Sequence, residues 1–118
     1  MAFSGHTLYI MDGVNPNARS GPGTTVVMTY SLQSHRWGTA APTPTPLVFP
    51  AATVDQRGRI YLIGGANQSG TTNQVSIYDP VFNSWTSGPP LLQSVAGLGA
   101  ATGKDGRIYA IGGATTSG

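Results

Sequence analysis

The sequence has no cysteine and no glutamate. The first absence removes disulfides, thiolate metal sites and cysteine nucleophiles together. The second leaves Asp12, Asp55, Asp79 and Asp105 as the only acidic side chains, too few and too dispersed to suggest the paired carboxylates of a glycoside hydrolase. Charged residues make up only 8% of the 118 positions, against about a quarter in an average domain. The six cations (Arg19, Arg36, Arg57, Arg59, Lys104 and Arg107) form no stripe interleaved with aromatics, so no nucleic-acid partner is expected. His6 and His35 are the only imidazoles and neither has a ligand-spaced companion, so no metal and no cofactor are expected. No apolar run reaches the roughly 20 residues of a membrane-spanning helix, so no membrane partner is expected. The opening MAFSGHTLYIMDG lacks the basic stretch and apolar run of a secretory signal. None of this assigns a compartment.

What the chain has in quantity is glycine and proline, 17 and 9 residues, alongside 39% apolar residues. Low charge without low hydrophobicity argues for a folded chain. Turn-formers scattered between short apolar runs, without a Gly-X-Y period, point to many strands and many turns.

A repeat organises these runs. Gly58-Arg59-Ile60-Tyr61 recurs as Gly106-Arg107-Ile108-Tyr109, 48 residues later. At the same offset Tyr30 matches Tyr78, Trp37 matches Trp85, Pro42 matches Pro90 and Ala52 matches Ala100. A weaker copy, His6 to Gly13, stands at the start, with Tyr9 preceding Tyr61 by 52. Each period divides into four strands. The first covers 47–54 and 95–102, and the second covers 59–63 and 107–111, each followed by Gly-Gly. The third covers 25–31 and 74–78, and the fourth is marked by Trp37 and Trp85. No apolar stripe with helical spacing runs beyond one turn. A four-stranded unit recurring at this period is a propeller blade, because one small sheet with two apolar faces must be sandwiched between its copies.

The doublets Gly64-Gly65 and Gly112-Gly113, each closing an apolar run, and the Tyr30–Trp37 and Tyr78–Trp85 spacings resemble the kelch repeat. The resemblance covers nearly the whole chain, except that Asp12 replaces the first glycine of the doublet in the first copy. It implies an all-β fold of kelch-like β-propeller blades, each of four antiparallel strands, with the ring incomplete in one chain. The expected division is 1–46, a first blade lacking its first strand; 47–88, a complete blade; and 89–118, the first half of a third. Gly64, Gly65, Gly112, Gly113, Tyr30, Trp37, Tyr78 and Trp85 are the structural motif.

The glycine doublets are not phosphate loops, since no helix follows them. Gly103-Lys104 fails as the end of a P-loop, because Leu98 stands where glycine is required. No Ser sits in a Gly-x-Ser-x-Gly elbow. Some kelch-like propellers belong to enzymes, among them copper-radical galactose oxidases and sialic acid mutarotases. The oxidase site uses a Tyr–Cys crosslink that this chain cannot form, and no motif here matches a mutarotase.

The expectation is therefore a non-catalytic binding module, not an enzyme. The resemblance implies that the second-to-third and fourth-to-first strand connections share one face where a protein or small ligand docks. Those connections are Val14–Thr24, Ala66–Asn73, Pro42–Pro46 and Pro89–Gln93, with Arg19, Asn67, Gln68, Asn73 and Gln93 as candidate contacts and Arg19 as the strongest anchor. Two alternatives remain: a segment of a carbohydrate-active or oxidase enzyme whose catalytic residues lie elsewhere, and a self-assembling structural fragment. About two and a half blades leave apolar faces and strand edges to be covered, by a longer propeller or by further copies. Light scattering across a concentration series checks this: a discrete oligomer is expected from self-assembly and a monomer–aggregate mixture from an incomplete ring, whereas a monomer that unfolds cooperatively when dilute contradicts both.

Overall fold

A computed structural model describes residues 2–11, 27–44, 47, 50–67 and 70–114. Among these there is no helix. Twelve strands run β1 (Ala2–Ser4), β2 (Thr7–Ile10), β3 (Val27–Ser31), β4 (Arg36–Ala40), β5 (Ala51–Val54), β6 (Ile60–Ile63), β7 (Ala66–Asn67), β8 (Gly70–Thr71), β9 (Val75–Asp79), β10 (Ser84–Ser87), β11 (Ala96–Thr102) and β12 (Ile108–Ala114). They form antiparallel sheets in the orders β1-β2-β3-β4, β5-β6-β9-β10 and β11-β12, with β7-β8 a separate small hairpin.

The first sheet has four strands, where the sequence reading gives residues 1–46 no first strand. Ala2, Phe3 and Ser4 pair with Tyr9, Leu8 and Thr7. A three-residue strand leaves almost no periodic signal. The two-residue Gly5-His6 turn carries it, with Gly5 at φ 60°, the conformation a tight hairpin asks of its first central residue. The β7-β8 hairpin, two residues on each side, is equally short and lies inside what the sequence shows only as a loop.

Between sheets, β5 lies against β1 on one side and β11 on the other. The first strands of the three sheets thus gather at one line and the sheets fan out from it, as propeller blades do. Thr102 ties the second junction, its hydroxyl donating to the Val54 carbonyl at 2.7 Å and lying 2.9 Å from the Thr53 hydroxyl.

The second sheet is covered on both faces. Strand alternation sends Ile60, Leu62 and Tyr78 toward the first sheet, where they meet Tyr9, Met11, Val27 and Leu47. It sends Ile63 and Val75 the other way, with Ala51, onto Leu98. Full burial of such a side chain contributes about 1.5–3 kcal/mol, so these two junctions dominate stability. The outermost faces are not covered in this way. Trp37 is 63% exposed on the first sheet, and Ile111 is 70% exposed on the third.

That contrast separates two isoleucines that the repeat makes equivalent, Ile63 and Ile111. Ile63→Asp buries an unpaired carboxylate among apolar neighbours and should cost more than about 4 kcal/mol, enough to unfold a marginal domain. Ile111→Asp should change stability by less than about 1 kcal/mol. Urea unfolding followed by tryptophan fluorescence checks both; equal effects would contradict the exposure of the third sheet's outer face.

Candidate functional site

The glycine doublet controls how connections approach the strand ends. Gly64 and Gly65 hold φ of 65° and 100°, a region that side chains with a Cβ rarely enter. A Cβ on Gly64 would stand 2.6 Å from the Val95 carbonyl oxygen, and that same oxygen accepts the Gly65 N–H at 2.8 Å. The chain leaving β10 is thereby laid directly onto the end of β6. In the third sheet Gly112 and Gly113 take φ of 81° and 90°.

Two connections become one surface. Thr72 N–H donates to the Gly65 carbonyl, and Val95 N–H donates to the Thr72 carbonyl. Leu91 N–H donates to the Asn73 carbonyl, and the Asn73 carboxamide donates back to the Leu91 carbonyl at 3.4 Å. The Thr71 and Ser94 hydroxyls meet at 3.1 Å. Residues 70–73 and 88–95, from two separate connections, are thus sewn into a platform at one edge of the sheets. Neither segment holds a charged residue. Asn73, Pro89, Pro90, Leu92 and Gln93 are exposed on it, Leu92 fully. Beside it a groove of about 430 Å³, lined by Leu91, Leu92, Gln93, Val95, Leu98, Ala110 and Gly112, runs between the connection and β12.

Of the candidate contacts, Asn73 and Gln93 both stand on this platform. Asn67 lies in β7, its backbone paired with Gly70, and its side chain falls outside the described residues. Arg19 and Gln68 lie outside them altogether.

The aromatic motif divides. Tyr78 is 3% exposed and packs against Tyr9 at 5.5 Å and Trp85 at 5.2 Å between ring centroids. Burial pushes the Tyr78 phenol, and that of Tyr9, above its ordinary value. Tyr30 and Trp37 stack in the same way at 4.9 Å, but on the open face of the first sheet.

One residue the sequence reading passes over holds the first junction. Asn83, in the turn between β9 and β10, sits at φ 49°, where asparagine is tolerated better than most residues. Its Oδ1 accepts both the Tyr78 hydroxyl at 2.6 Å and the Ala41 N–H at 2.8 Å. Trp85 Nε1–H donates to the Ala41 carbonyl at 2.9 Å. The backbone of Ala41, just beyond β4, is thus held at both its N–H and its carbonyl by residues of the second sheet and its turn. An Asn four residues before a strand's end carries no sequence signal for this.

The described carboxylates are engaged in turns. Asp55 Oδ1 accepts the N–H groups of Arg57 and Arg59, and Oδ2 accepts Arg59 Nε–H, all at 2.9 Å. Burial works to raise its pKa, but these donors and the Arg59 charge outweigh it and hold it below the ordinary value. Asp105 accepts the Arg107 N–H at 3.0 Å and the Tyr109 hydroxyl at 2.9 Å, which lower its pKa also. Asp79 accepts the Val81 N–H. Among the described residues no three His, Cys, Asp or Glu gather as a metal site would require.

The Kelch motif family model matches residues 50–92, the span from β5 through the platform. The chain belongs to the kelch-repeat family. It is 32% identical over 96 residues to Kelch repeat and BTB domain-containing protein 12 of Danio rerio, covering 74% of this chain and 15% of that one. Kelch-like protein 22 of Rattus norvegicus is 34% identical over 90 residues, covering 75% of this chain and 14% of the relative. An F-box/kelch-repeat protein of Arabidopsis thaliana is 34% identical over 95 residues, covering 78% and 25%. The chain spans a quarter or less of the length of these three relatives. The solved structure of YjhT superposes with a TM-score of 0.80 at 17% identity, over 99% of this chain and 38% of that one, which bears on the fold alone.

The Asn83 clamp yields a direct test. Asn83→Ala leaves a buried phenol and a peptide N–H without their acceptor and should cost about 2 kcal/mol. Asn83→Asp keeps an acceptor oxygen and should cost less. Denaturant midpoints decide it; a loss below about 0.5 kcal/mol for the alanine variant would show that the clamp contributes nothing.

Proposed function

We propose that this kelch-repeat chain is a non-catalytic binding module, and that its platform of residues 70–73 and 88–95 docks a protein partner. The observation that carries the proposal is the platform itself. Its two connections are cross-linked by backbone hydrogen bonds, so the exposed side chains are held in place before a partner arrives and little ordering entropy is lost on binding. Its chemistry is neutral: an exposed Leu92 as the apolar anchor, with Asn73 and Gln93 carboxamides able to donate and accept at the rim. Curated relatives that couple kelch repeats to BTB or F-box segments are in keeping with such a role. The turn duties of Asp55, Asp79 and Asp105 supply no reason to assign catalysis to these blades.

A second reading has its own observation. The Tyr30–Trp37 pair, its Trp37 exposed and its Tyr30 half-buried, repeats the arrangement that Tyr78 and Trp85 present to Tyr9, and the exposed Tyr109 stands in the third sheet where Tyr9 and Tyr61 stand in the first and second. The two outer faces thus carry the separate halves of the aromatic junction that the first and second sheets form between them. Further kelch-type sheets, from a longer chain or from other copies, fit both.

Peptides selected from a random library on the purified chain test the first reading. Selected peptides should carry an apolar anchor and perturb the amide resonances of Asn73 and Leu91–Gln93. Leu92→Asp should weaken their binding by at least about tenfold, a loss of roughly 1.4 kcal/mol. Binding that maps to β3 and β4, and survives Leu92→Asp, would replace it with the second.

A further inference from the structure

The opposite edge of the sheets has the reverse character. Every charged residue among the described ones lies at or beside a turn on that edge, the ones joining β3 to β4, β5 to β6, β9 to β10 and β11 to β12, while the fifth turn there, β1 to β2, has none. At the first junction two of these turns touch, the Ser4 hydroxyl donating to the Gly58 carbonyl at 2.7 Å. At the second junction a polar groove of about 330 Å³ opens instead, lined by Asp55, Gln56, Arg57, Arg59, Tyr61, Gly106 and Ile108.

The donors in this groove outnumber its acceptors. Asp55 is the one carboxylate in its lining, and it already accepts from the three donors named above. Arg59 uses only Nε on Asp55, which leaves both terminal nitrogens of its fork. Arg57 bonds Asp55 through its backbone alone, and its guanidinium has no partner among the described residues. Two guanidinium charges therefore face one carboxylate in the lining, with Asp79 beside Arg59 on the adjoining strand. Gln56, whose carboxamide lies beside Gly106, and the Tyr61 phenol add neutral donors.

We infer that this groove between the second and third sheets is a site for a carboxylate, such as the side chain of an acidic segment on a partner. A planar anion with two oxygens matches the guanidinium fork, and the single net positive charge of the lining suits a monoanion better than a doubly charged phosphate. This site is separate from the platform, on the other edge of the same blades.

The test is an amide-resonance titration of the chain with a capped glutamate, and in parallel with inorganic phosphate, at constant ionic strength. The glutamate should shift Gln56, Arg57, Arg59, Tyr61 and Gly106 along saturating curves. Arg57→Gln, an exposed change that leaves the fold intact, should raise the dissociation constant about fivefold. Lys104→Gln removes an equal charge outside the groove and should leave it within about twofold. Non-saturating shifts, or equal effects of the two variants, would reduce the groove to diffuse charge and overturn the inference. Saturation by phosphate without saturation by the glutamate would overturn the choice of carboxylate.

Discussion

A small sheet with apolar side chains on both faces cannot stand in water, and the rest of this structure follows from that constraint. The second sheet meets it on both sides. Ile60, Leu62 and Tyr78 are covered by the first sheet, Ile63 and Val75 by the third. Close approach of the sheets requires the connecting chain to leave the gap quickly. The Gly64-Gly65 doublet allows it, because its positive φ and missing Cβ let the Val95 carbonyl sit against the end of β6. The same contact that closes the packing also draws residues 70–73 and 88–95 together, so the platform is a by-product of the way the sheets stack.

The division of the two edges has a similar origin. Tight turns between neighbouring strands favour aspartate and glycine, since a carboxylate can accept the turn's own N–H groups, as Asp55 and Asp105 do, and here arginines flank them. The connection from β6 to β9 and the one leaving β10 for the third sheet satisfy their backbone on each other, and these two carry amide, hydroxyl and apolar side chains instead. One edge is thereby suited to neutral, apolar recognition and the other to anions.

Much of this was legible in the residues. The 48-residue repeat, the alternation within β6 and β9 and the Tyr–Trp spacing gave the blade and its four strands. Periodicity could not find β1 or β7-β8, because two or three residues complete no alternation and their pairing is set by neighbours and turn glycines. Nor could repetition show that equivalent residues have unequal surroundings. Ile63 and Ile111, or Trp85 and Trp37, share a motif position but differ in what lies beyond their sheet. Asn83 was missed for a further reason: its value lies in meeting Ala41, forty-two residues away. Among the candidate contacts, Asn73 and Gln93 reached a shared surface through backbone bonds that no side-chain pattern announces.

The central claim is that the second sheet is the core, sandwiched on both faces, while the third is covered on one face and paired along one edge. Hydrogen exchange resolved by residue measures this most directly. The slowest amides should be those of Ile60–Ile63 and Val75–Asp79, with Ile108–Ala114 exchanging markedly faster. Protection of Ile108–Ala114 equal to that of Ile60–Ile63, in the dilute chain, would contradict the account.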